Sequence, residues 1–256
     1  MDLGLKGKRA VVLGGTRGIG RAIAETLADE GTCVAICARN PDQITEAVAA
    51  LKDKGARATG ASVDIADGAA LRAWIEVAAS ELDGIDILVS NAGAMAQGAS
   101  EKEWEANFRL DVLGAVNAFE AARPFLEQAA NEHGDASFVI ISSISAAETD
   151  NAGSYGPLKA ALIHYAKGLA RQHAKRKIRT NVVSPGTVYF KGGVWNMIEM
   201  NMPDYFKQAI ERNPTGRMAT PQEIANAAVF LASPASSFTT GANLVVDGAV
   251  SRRVNF

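Results

Sequence analysis

Short apolar segments alternate with longer amphipathic stretches along the whole chain, and this alternation limits the folds open to it. The apolar segments are unbroken, β-branched and of strand length, as strands buried on both faces of a sheet are. Between them lie helix-length stretches; in residues 19–30, Ile19, Ile23 and Leu27 recur every four positions and Gly31 follows as a stop signal. Strands are predicted at residues 9–13, 32–38, 58–63, 85–90, 138–142, 179–183 and 243–246. The pattern predicts an α/β fold, one doubly wound domain over residues 1–256, with a mostly parallel seven-stranded sheet and helices on both faces.

Composition and charge exclude several classes of function. The chain has 256 residues with a net charge of −2, which gives no electrostatic attraction to nucleic acid or to an anionic membrane. The densest basic run, residues 171–179, is expected to be a solvated helix end. No apolar stretch reaches the roughly 18 residues of a membrane span, and the first ten residues do not resemble a signal peptide. We therefore expect a cytoplasmic protein with no nucleic-acid or membrane partner.

The cysteines and histidines are not expected to form a disulfide or a metal site. Cys33 and Cys37 lie on one face of one predicted strand, about 13 Å apart at ~3.3 Å per residue, which is too far for a disulfide. They are expected to be small hydrophobic residues in a reducing compartment. The three histidines are isolated from one another and from other ligand types, so no metal is predicted.

A glycine-rich turn follows the first predicted strand and opens directly into the first predicted helix. Glycines at such a turn let the backbone approach a pyrophosphate closely, and the helix N-terminus supplies N–H donors. The position in the first strand–turn–helix unit makes the domain Rossmann-type and predicts a dinucleotide cofactor. The residues predicted to bind it here are Gly14, Thr16, Arg17, Gly18, Ile19 and Gly20.

The charges near this turn favour NADP over NAD. An acidic residue at the end of the second strand would accept from the ribose 2′-hydroxyl and repel a 2′-phosphate, but this chain has Arg39 there and Arg17 within the turn. Asp64 and Ile65, at the end of the third strand, are predicted to contact the adenine.

A tyrosine and a lysine four residues apart are the best candidates for the chemistry. Tyr155 and Lys159 share one face of a predicted helix. A phenol is a poor acid–base catalyst at neutral pH, because its ordinary pKa is near 10. A nearby ammonium and an oxidised nicotinamide ring both favour the phenolate, so the pair predicts proton transfer at a carbonyl or hydroxyl oxygen.

Together these motifs make the chain resemble the short-chain dehydrogenase/reductase family over essentially its whole length, and its 3-oxoacyl reductase-like members in particular. The resemblance rests on the glycine turn, on Tyr155 with Lys159, and on three further motifs in the family's order. These are Asn91-Ala92-Gly93, Pro185-Gly186 and the terminal Leu244-Val245-Val246-Asp247-Gly248.

The resemblance implies a role for each matching residue. Tyr155 would be the general acid for carbonyl reduction and the base for alcohol oxidation, and Lys159 would assist it and bind the nicotinamide ribose. A serine would polarise the substrate oxygen; Ser143 is preferred from the local pattern, whereas the family's usual spacing to the tyrosine selects Ser142. The remaining cofactor contacts would come from Asn91, Ala92, Gly93, Pro185, Gly186 and Val188. The family also implies a homo-oligomer, a tetramer.

Two departures from the family pattern bear on the site. Asp111 occupies the place of the family's asparagine, and is expected to keep a catalytic role by accepting hydrogen bonds, with an altered pH profile. Phe190 replaces the threonine expected after Pro185-Gly186, which weakens the predicted carboxamide contact.

Residues 186–214 interrupt the αβ alternation and are rich in aromatic residues and methionine. Such an insertion is often a lid over an apolar ligand; a packed helical hairpin or a subunit contact is the alternative. The lid predicts an apolar small-molecule carbonyl or alcohol, such as a 3-oxoacyl group, a cyclic ketone or a steroid. An NADP(H)-dependent oxidoreductase acting on CH–OH groups is the favoured function. A lyase or epimerase using the same pair, and an NADP(H)-binding redox sensor, are the alternatives.

Overall fold

The computed structural model describes residues 1–149 and 152–254. The predicted domain also includes residues 150–151 and 255–256, which lie outside the described residues. Within the described part, the strands are β1 (Arg9–Leu13), β2 (Cys33–Ala38), β3 (Ala58–Ser62), β4 (Ile87–Ser90), β5 (Ala136–Ile141), β6 (Ile178–Pro185) and β7 (Asn243–Val246). They form one seven-stranded sheet in the order β3-β2-β1-β4-β5-β6-β7, and every pairing is parallel. The predicted fold class is confirmed.

The helices connect successive strands and lie on both faces of the sheet. They are α1 (Gly18–Asp29), α2 (Pro41–Asp53), α3 (Gly68–Leu82), α4 (Glu101–Asn107), α5 (Gly114–His133), α6 (Tyr155–His173), α7 (Val194–Asn201), α8 (Pro203–Arg212) and α9 (Pro221–Ala232). A π-helical turn, Phe108–Leu113, joins α4 to α5. Local signals set several boundaries: Asn40 caps α2 through its side chain, and Gly31 adopts the left-handed conformation after α1.

Alternate residues of the strands enter two separate cores. Val11 and Leu13 of β1 pack with α3, α5 and α6 on one face, whereas Ala10 and Val12 pack with α1, α2 and α9 on the other. Cys33 and Cys37 contact the first of these cores and are free thiols, so both are small packing residues as predicted. Burial raises the pKa of the Cys37 thiol to about 12, so this thiol is protonated and unreactive at neutral pH.

The strand order places a crevice between β1 and β4, where the order in which strands are added to the sheet reverses. The connection after β1 leads outward to β2 and β3, and the chain then returns to β4 on the other side of β1. Ligands of open α/β sheets bind at the carboxyl ends of the strands at such a reversal. The predicted glycine turn follows β1 and Asn91 follows β4, so both lie at this edge.

One prediction about the surface is wrong. Arg179, expected at a solvated helix end, is 4% exposed. It is the second residue of β6, and its guanidinium pairs with Asp135. The guanidinium also donates to three carbonyls at the end of α9, those of Leu231, Ala232 and Ser233. An arginine fork satisfies helix-end carbonyls that have no partner within the helix.

In the part of the chain that the structure describes, no helix is both long and apolar enough to cross a membrane.

Candidate active site

A groove of about 930 Å³ runs along the carboxyl edge of the sheet. The residues that the sequence assigned to the cofactor and to the chemistry largely meet there. Those that line the groove are Gly14, Thr16, Arg17, Ile19, Arg39, Ile65, Asn91, Ala92, Gly93, Ser143, Tyr155, Lys159, Pro185, Gly186 and Val188. Four of the predicted site residues do not line the groove and lie beside or beneath it: Gly18, Gly20, Asp64 and Asp111.

Close backbone approach explains the glycines of the turn. Gly14 has a φ of +73°, and its carbonyl accepts a hydrogen bond from Asn91 Nδ2 at 3.1 Å. A Cβ on Gly20 would lie 2.1 Å from that same carbonyl oxygen, so any side chain at Gly20 would push the turn away from β4. Gly20 therefore shapes the turn from beneath rather than facing the groove.

Phe190 covers Gly18. A Cβ on Gly18 would lie 2.5 Å from the Phe190 ring, and one on Gly193 would lie 2.8 Å from it. Arg17 Nη1 lies 3.5 Å from the Gly192 carbonyl oxygen. The residue that replaces the expected threonine thus packs on the glycine turn and connects it to the start of α7.

The outer end of the groove is basic and polar. Arg17 and Arg39 line it together with Asn40 and Gln43. Asp64 is exposed beside this end, and its Oδ1 accepts from the backbone N–H of Ala66 at 3.0 Å. Of the charged groups at this end, the two guanidiniums face the groove and the carboxylate does not line it.

At the inner end, Lys159 is buried between Tyr155 and Asp111. Its Nζ lies 3.2 Å from Asp111 Oδ2, donates to the Ile141 carbonyl at 3.3 Å, and lies 5.5 Å from the centre of the Tyr155 ring. Burial by itself would lower the pKa of Lys159, but electrostatic attraction to Tyr155 and to the Asp111 carboxylate raises it above its ordinary value. Lys159 is therefore a buried cation held charged beside the phenol.

Asp111 lies below the groove, in the π-helical turn. Its Oδ1 accepts from the Ala94 N–H at 2.8 Å, and its carboxylate is 2% exposed. A Cβ on Gly93 would lie 3.4 Å from both carboxylate oxygens and 3.5 Å from Lys159 Nζ. The loop after β4 therefore packs directly on the Asp111–Lys159 ion pair. Asp111 therefore contacts Lys159 without lining the groove.

The two serines at the end of β5 have different environments. Ser142 Oγ donates to the Lys159 carbonyl of α6 at 2.9 Å. Ser143 Oγ accepts from the Ser145 N–H at 3.1 Å and donates to Ser145 Oγ at 3.2 Å. Ser142 therefore ties β5 to α6, whereas Ser143 bonds only within its own loop among the described residues.

A second cleft, of about 220 Å³, meets the groove at Tyr155. Its walls come from the loop after β5, from Thr187, and from the inner faces of α7 and α8, including Trp195 and Tyr205. The segment predicted to be a lid is thus a pair of helices beside the candidate acid–base residue.

Two residues of the site were missed by the sequence reasoning. Asn107 is fully buried; its amide exchanges hydrogen bonds with the Ala96 backbone and donates to Ser154 Oγ at 2.8 Å, immediately before Tyr155. Thr187 Oγ1 is buried without a hydrogen-bond partner in the described structure. A polar residue inside a helix was the only signal for Asn107, and Thr187 had none beyond its place after Pro185-Gly186.

Comparison with known proteins decides the family. A family model described as enoyl-(acyl carrier protein) reductase matches residues 14–251. An isoepoxydon dehydrogenase of Penicillium expansum is 35% identical over 257 residues, which cover 98% of this chain and 97% of that protein. The chain belongs to the short-chain dehydrogenase/reductase family.

Solved members of the short-chain dehydrogenase/reductase family have the same fold. L-Sorbose reductase of Gluconobacter frateurii, solved with NADPH and L-sorbose, is 31% identical with a TM-score of 0.90 over 99% of this chain and 100% of its own. An NADH-dependent reductase of alginate metabolism is 29% identical, with a TM-score of 0.87 over 98% of this chain and 100% of its own. The chain is thus an oxidoreductase of this family, and the family includes users of both nicotinamide cofactors.

Proposed function

We propose that the chain transfers a hydride between NADP(H) and a carbonyl or secondary alcohol, with Tyr155 as general acid and base. The observation that carries the proposal is the buried Lys159, held charged beside Tyr155 where the long groove meets the smaller cleft. Bound NADPH would supply the hydride. The residues of this chain would bind the cofactor, orient the substrate oxygen and move its proton.

The groove fits this cofactor in shape and charge. Gly14 and Gly20 leave a turn that side chains would fill, and the adjoining helix N-terminus provides donors for a pyrophosphate. Arg17 and Arg39 at the outer end suit a 2′-phosphate, because guanidinium groups bind phosphate through paired hydrogen bonds. Asn91, Ala92 and Gly93 would line the ribose side, while Pro185, Gly186 and Val188 would contact the carboxamide.

The proton steps follow from the inner end. During reduction Tyr155 would donate its phenolic proton to the substrate oxygen, and Lys159 would stabilise the phenolate that forms. Ser143, whose hydroxyl bonds among the described residues only within its own loop, would donate to the same oxygen. Ser142 is the weaker candidate, because its hydroxyl donates to the Lys159 carbonyl. Asp111 would hold Lys159 in place.

The domain, lid and location of the protein belong to the same proposal. Residues 1–256 would form one catalytic domain, with residues 186–214 as its substrate lid. A cytoplasmic homotetramer follows from the family resemblance and the sequence. A lyase or epimerase would use the same Tyr155 and Lys159, but the basic outer end favours an exchangeable NADP(H) over a tightly held NAD. A redox sensor would not need the Tyr155–Lys159 pair.

Replacement of Tyr155 tests the chemistry. We expect Tyr155→Phe to lower kcat for ketone reduction by at least about 100-fold, because general acid catalysis contributes 10²–10⁴-fold. NADPH affinity, measured by nucleotide fluorescence, should change little. The matched control is Tyr165→Phe, a partly buried tyrosine on the same helix. Full turnover by Tyr155→Phe would refute the assignment.

Replacement of Arg39 tests the cofactor. We expect Arg39→Asp to lower the ratio of kcat/KM for NADPH over NADH by roughly 10- to 100-fold, as a lost charge-assisted hydrogen bond costs about 1.5–3 kcal/mol. Arg57→Asp, next to the opposite end of β3, is the control and should leave the ratio as it is. A ratio that does not move in Arg39→Asp would exclude a 2′-phosphate site there.

A further inference from the structure

The structure assigns the small cleft beside Tyr155 to a compact, hydroxylated ketone or its alcohol. We propose this substrate class in place of the apolar ketone that the lid composition predicts. The assignment rests on the proposed function, since it names the substrate of the same site.

The size of the cleft limits the substrate first. Its volume of about 220 Å³ equals roughly seven waters at about 30 Å³ each. Pockets that bury drug-sized ligands measure about 300–1,000 Å³. The cleft by itself therefore suits a compact molecule, and a steroid or a long acyl chain would have to extend beyond it into the groove or into solvent.

The methionines that suggested an apolar ligand face solvent. Met197 and Met200 of α7 are 57% and 69% exposed, and Met202 between the two helices is 55% exposed. The helices instead place Trp195, Tyr205 and Gln208 against the cleft. The apolar surface of the lid is thus on its outer face, and the inner face is mixed.

The walls of the cleft combine polar side chains with apolar ones, among them Ile144, Ala209 and Val250. The polar side chains that line it include Ser145, Glu148, Thr187 and Gln208. A carboxylate is only an acceptor, and hydroxyl groups can donate and accept in turn. A ligand that carries several hydroxyl groups would satisfy these walls, whereas a hydrocarbon would desolvate them without compensation.

Thr187 is the most specific of these groups. Its Oγ1 is buried and has no hydrogen-bond partner within the described residues, and the residue borders both the groove and the cleft next to Tyr155. Buried hydroxyls without a partner are rare and costly. Thr187 and Tyr155 both line the groove and the cleft. We therefore assign the Thr187 hydroxyl, which a rotation about its Cα–Cβ bond would turn toward the ligand, to a hydroxyl on the carbon beside the carbonyl.

The aromatic wall fits the same ligand. Trp195 and Tyr205 stack with ring centres 6.0 Å apart and an angle of 13° between their planes. The stacked pair gives one apolar wall, against which the C–H face of a polyol can pack while its hydroxyl groups meet the polar side chains.

Matched pairs of ketones test the substrate class. Initial rates with NADPH would be measured for erythrulose against 2-butanone and for 2-hydroxycyclohexanone against cyclohexanone, with a keto acid and a keto steroid added. We expect kcat/KM for each hydroxylated member to exceed that of its partner at least tenfold, because a site built to bind a hydroxyl rejects the analogue that lacks it.

Thr187→Val and Thr187→Ser test the assigned residue. Valine keeps the shape and removes the hydroxyl, so the preference for 2-hydroxycyclohexanone over cyclohexanone should fall at least tenfold, mainly through KM; serine should restore it. A weaker affinity for NADPH in Thr187→Val with the substrate preference intact would show that the hydroxyl serves the cofactor, and would refute the assignment of Thr187.

The outcomes separate this inference from the proposed function. Equal or better turnover of the unhydroxylated ketones, of the steroid, or of the keto acid (through Arg212, which also lines the cleft) would overturn the substrate class alone. Failure to bind NADPH, or to reduce any ketone of the panel, would overturn the proposed function itself.

Discussion

Asp111 is the residue whose side chain most changes the electrostatics of this site. In place of a neutral amide, the chain buries a carboxylate 3.2 Å from Lys159 Nζ. A negative charge so close offsets part of the positive charge that Lys159 presents to Tyr155, since buried charges are weakly screened. Lys159 is thereby held charged and in position, while its assistance to the phenolate is reduced.

Asp111→Asn should therefore change the pH dependence of alcohol oxidation. Removal of the carboxylate leaves the Lys159 charge to act on Tyr155 alone, so the acidic limb of the kcat/KM profile should move to lower pH. Glu105→Gln, an exposed carboxylate on α4, is the control. An unshifted profile with only a lower kcat would mean that Asp111 acts through structure and not through charge.

At the scale of elements, the apolar runs of the sequence predicted the bounds of those strands that depend on local residues alone. The bounds of β1 and β7 agree with the apolar runs. Strand β6 extends to Pro185, beyond the predicted residue 183, because its pairing with β7 continues to that residue. The π-helical turn was not predicted, since its signal is a single extra residue per turn. It nevertheless contains Asp111.

Contacts between distant elements set the limit on predicting the site. Tyr155, Lys159 and the glycine turn form recognisable short motifs, so their assembly in one groove could be expected from the sequence. The Asn107–Ser154 bond joins residues 47 apart, and Phe190 meets Gly18 from the far end of the chain. Such pairs leave no periodic pattern, and so the lining of the substrate cleft could not be derived from composition.

Arg179 connects three elements and should be intolerant of lysine. The guanidinium bonds Asp135 through two nitrogens and also donates to three carbonyls at the end of α9 and to Ser236 Oγ. Lysine offers one ammonium and no fork, so Arg179→Lys should lower the free energy of unfolding by about 2–4 kcal/mol, measured by urea denaturation. Arg176→Lys, a half-exposed neighbour, should change it by less than about 1 kcal/mol. Equal losses in both variants would contradict this account.

Across the whole molecule, the carboxyl ends of the strands carry the candidate active site, whereas the amino ends carry a buried ion pair that stabilises the fold. The groove and cleft lie at the carboxyl ends of the strands. At the amino ends, Asp86 precedes β4 and is 2% exposed, with hydrogen bonds from the Arg9 backbone and Nε at 2.9 and 2.6 Å and a 2.7 Å contact with His133 Nδ1. Burial would raise the pKa of Asp86, but the Arg9 and His133 hydrogen bonds and the Arg9 charge lower it below its ordinary value.

This separation predicts a variant that loses stability but keeps its catalytic rate. Asp86→Asn removes the carboxylate that accepts two hydrogen bonds from Arg9, and only the weaker attractions of Glu132 and Asp83 remain among the charges acting on that guanidinium. The free energy of unfolding at pH 7 should therefore fall by about 1.5–3 kcal/mol. Because folding lowers the pKa of Asp86, its contribution is complete above the ordinary carboxyl value of about 3.9 and is lost as pH falls through the folded value. The gap between wild type and variant should therefore narrow below about pH 4.

Urea unfolding followed by circular dichroism at pH 7, 5 and 3.5 measures this gap, and ketone reduction by the folded variant measures the rate. Asp29→Asn, whose exposed carboxylate pairs with Lys54, is the control and should cost less than about 1 kcal/mol at every pH. A gap for Asp86→Asn that stays constant down to pH 3.5 would show that shape and not charge is lost. A large fall in kcat would show that the amino ends of the strands communicate with the active site.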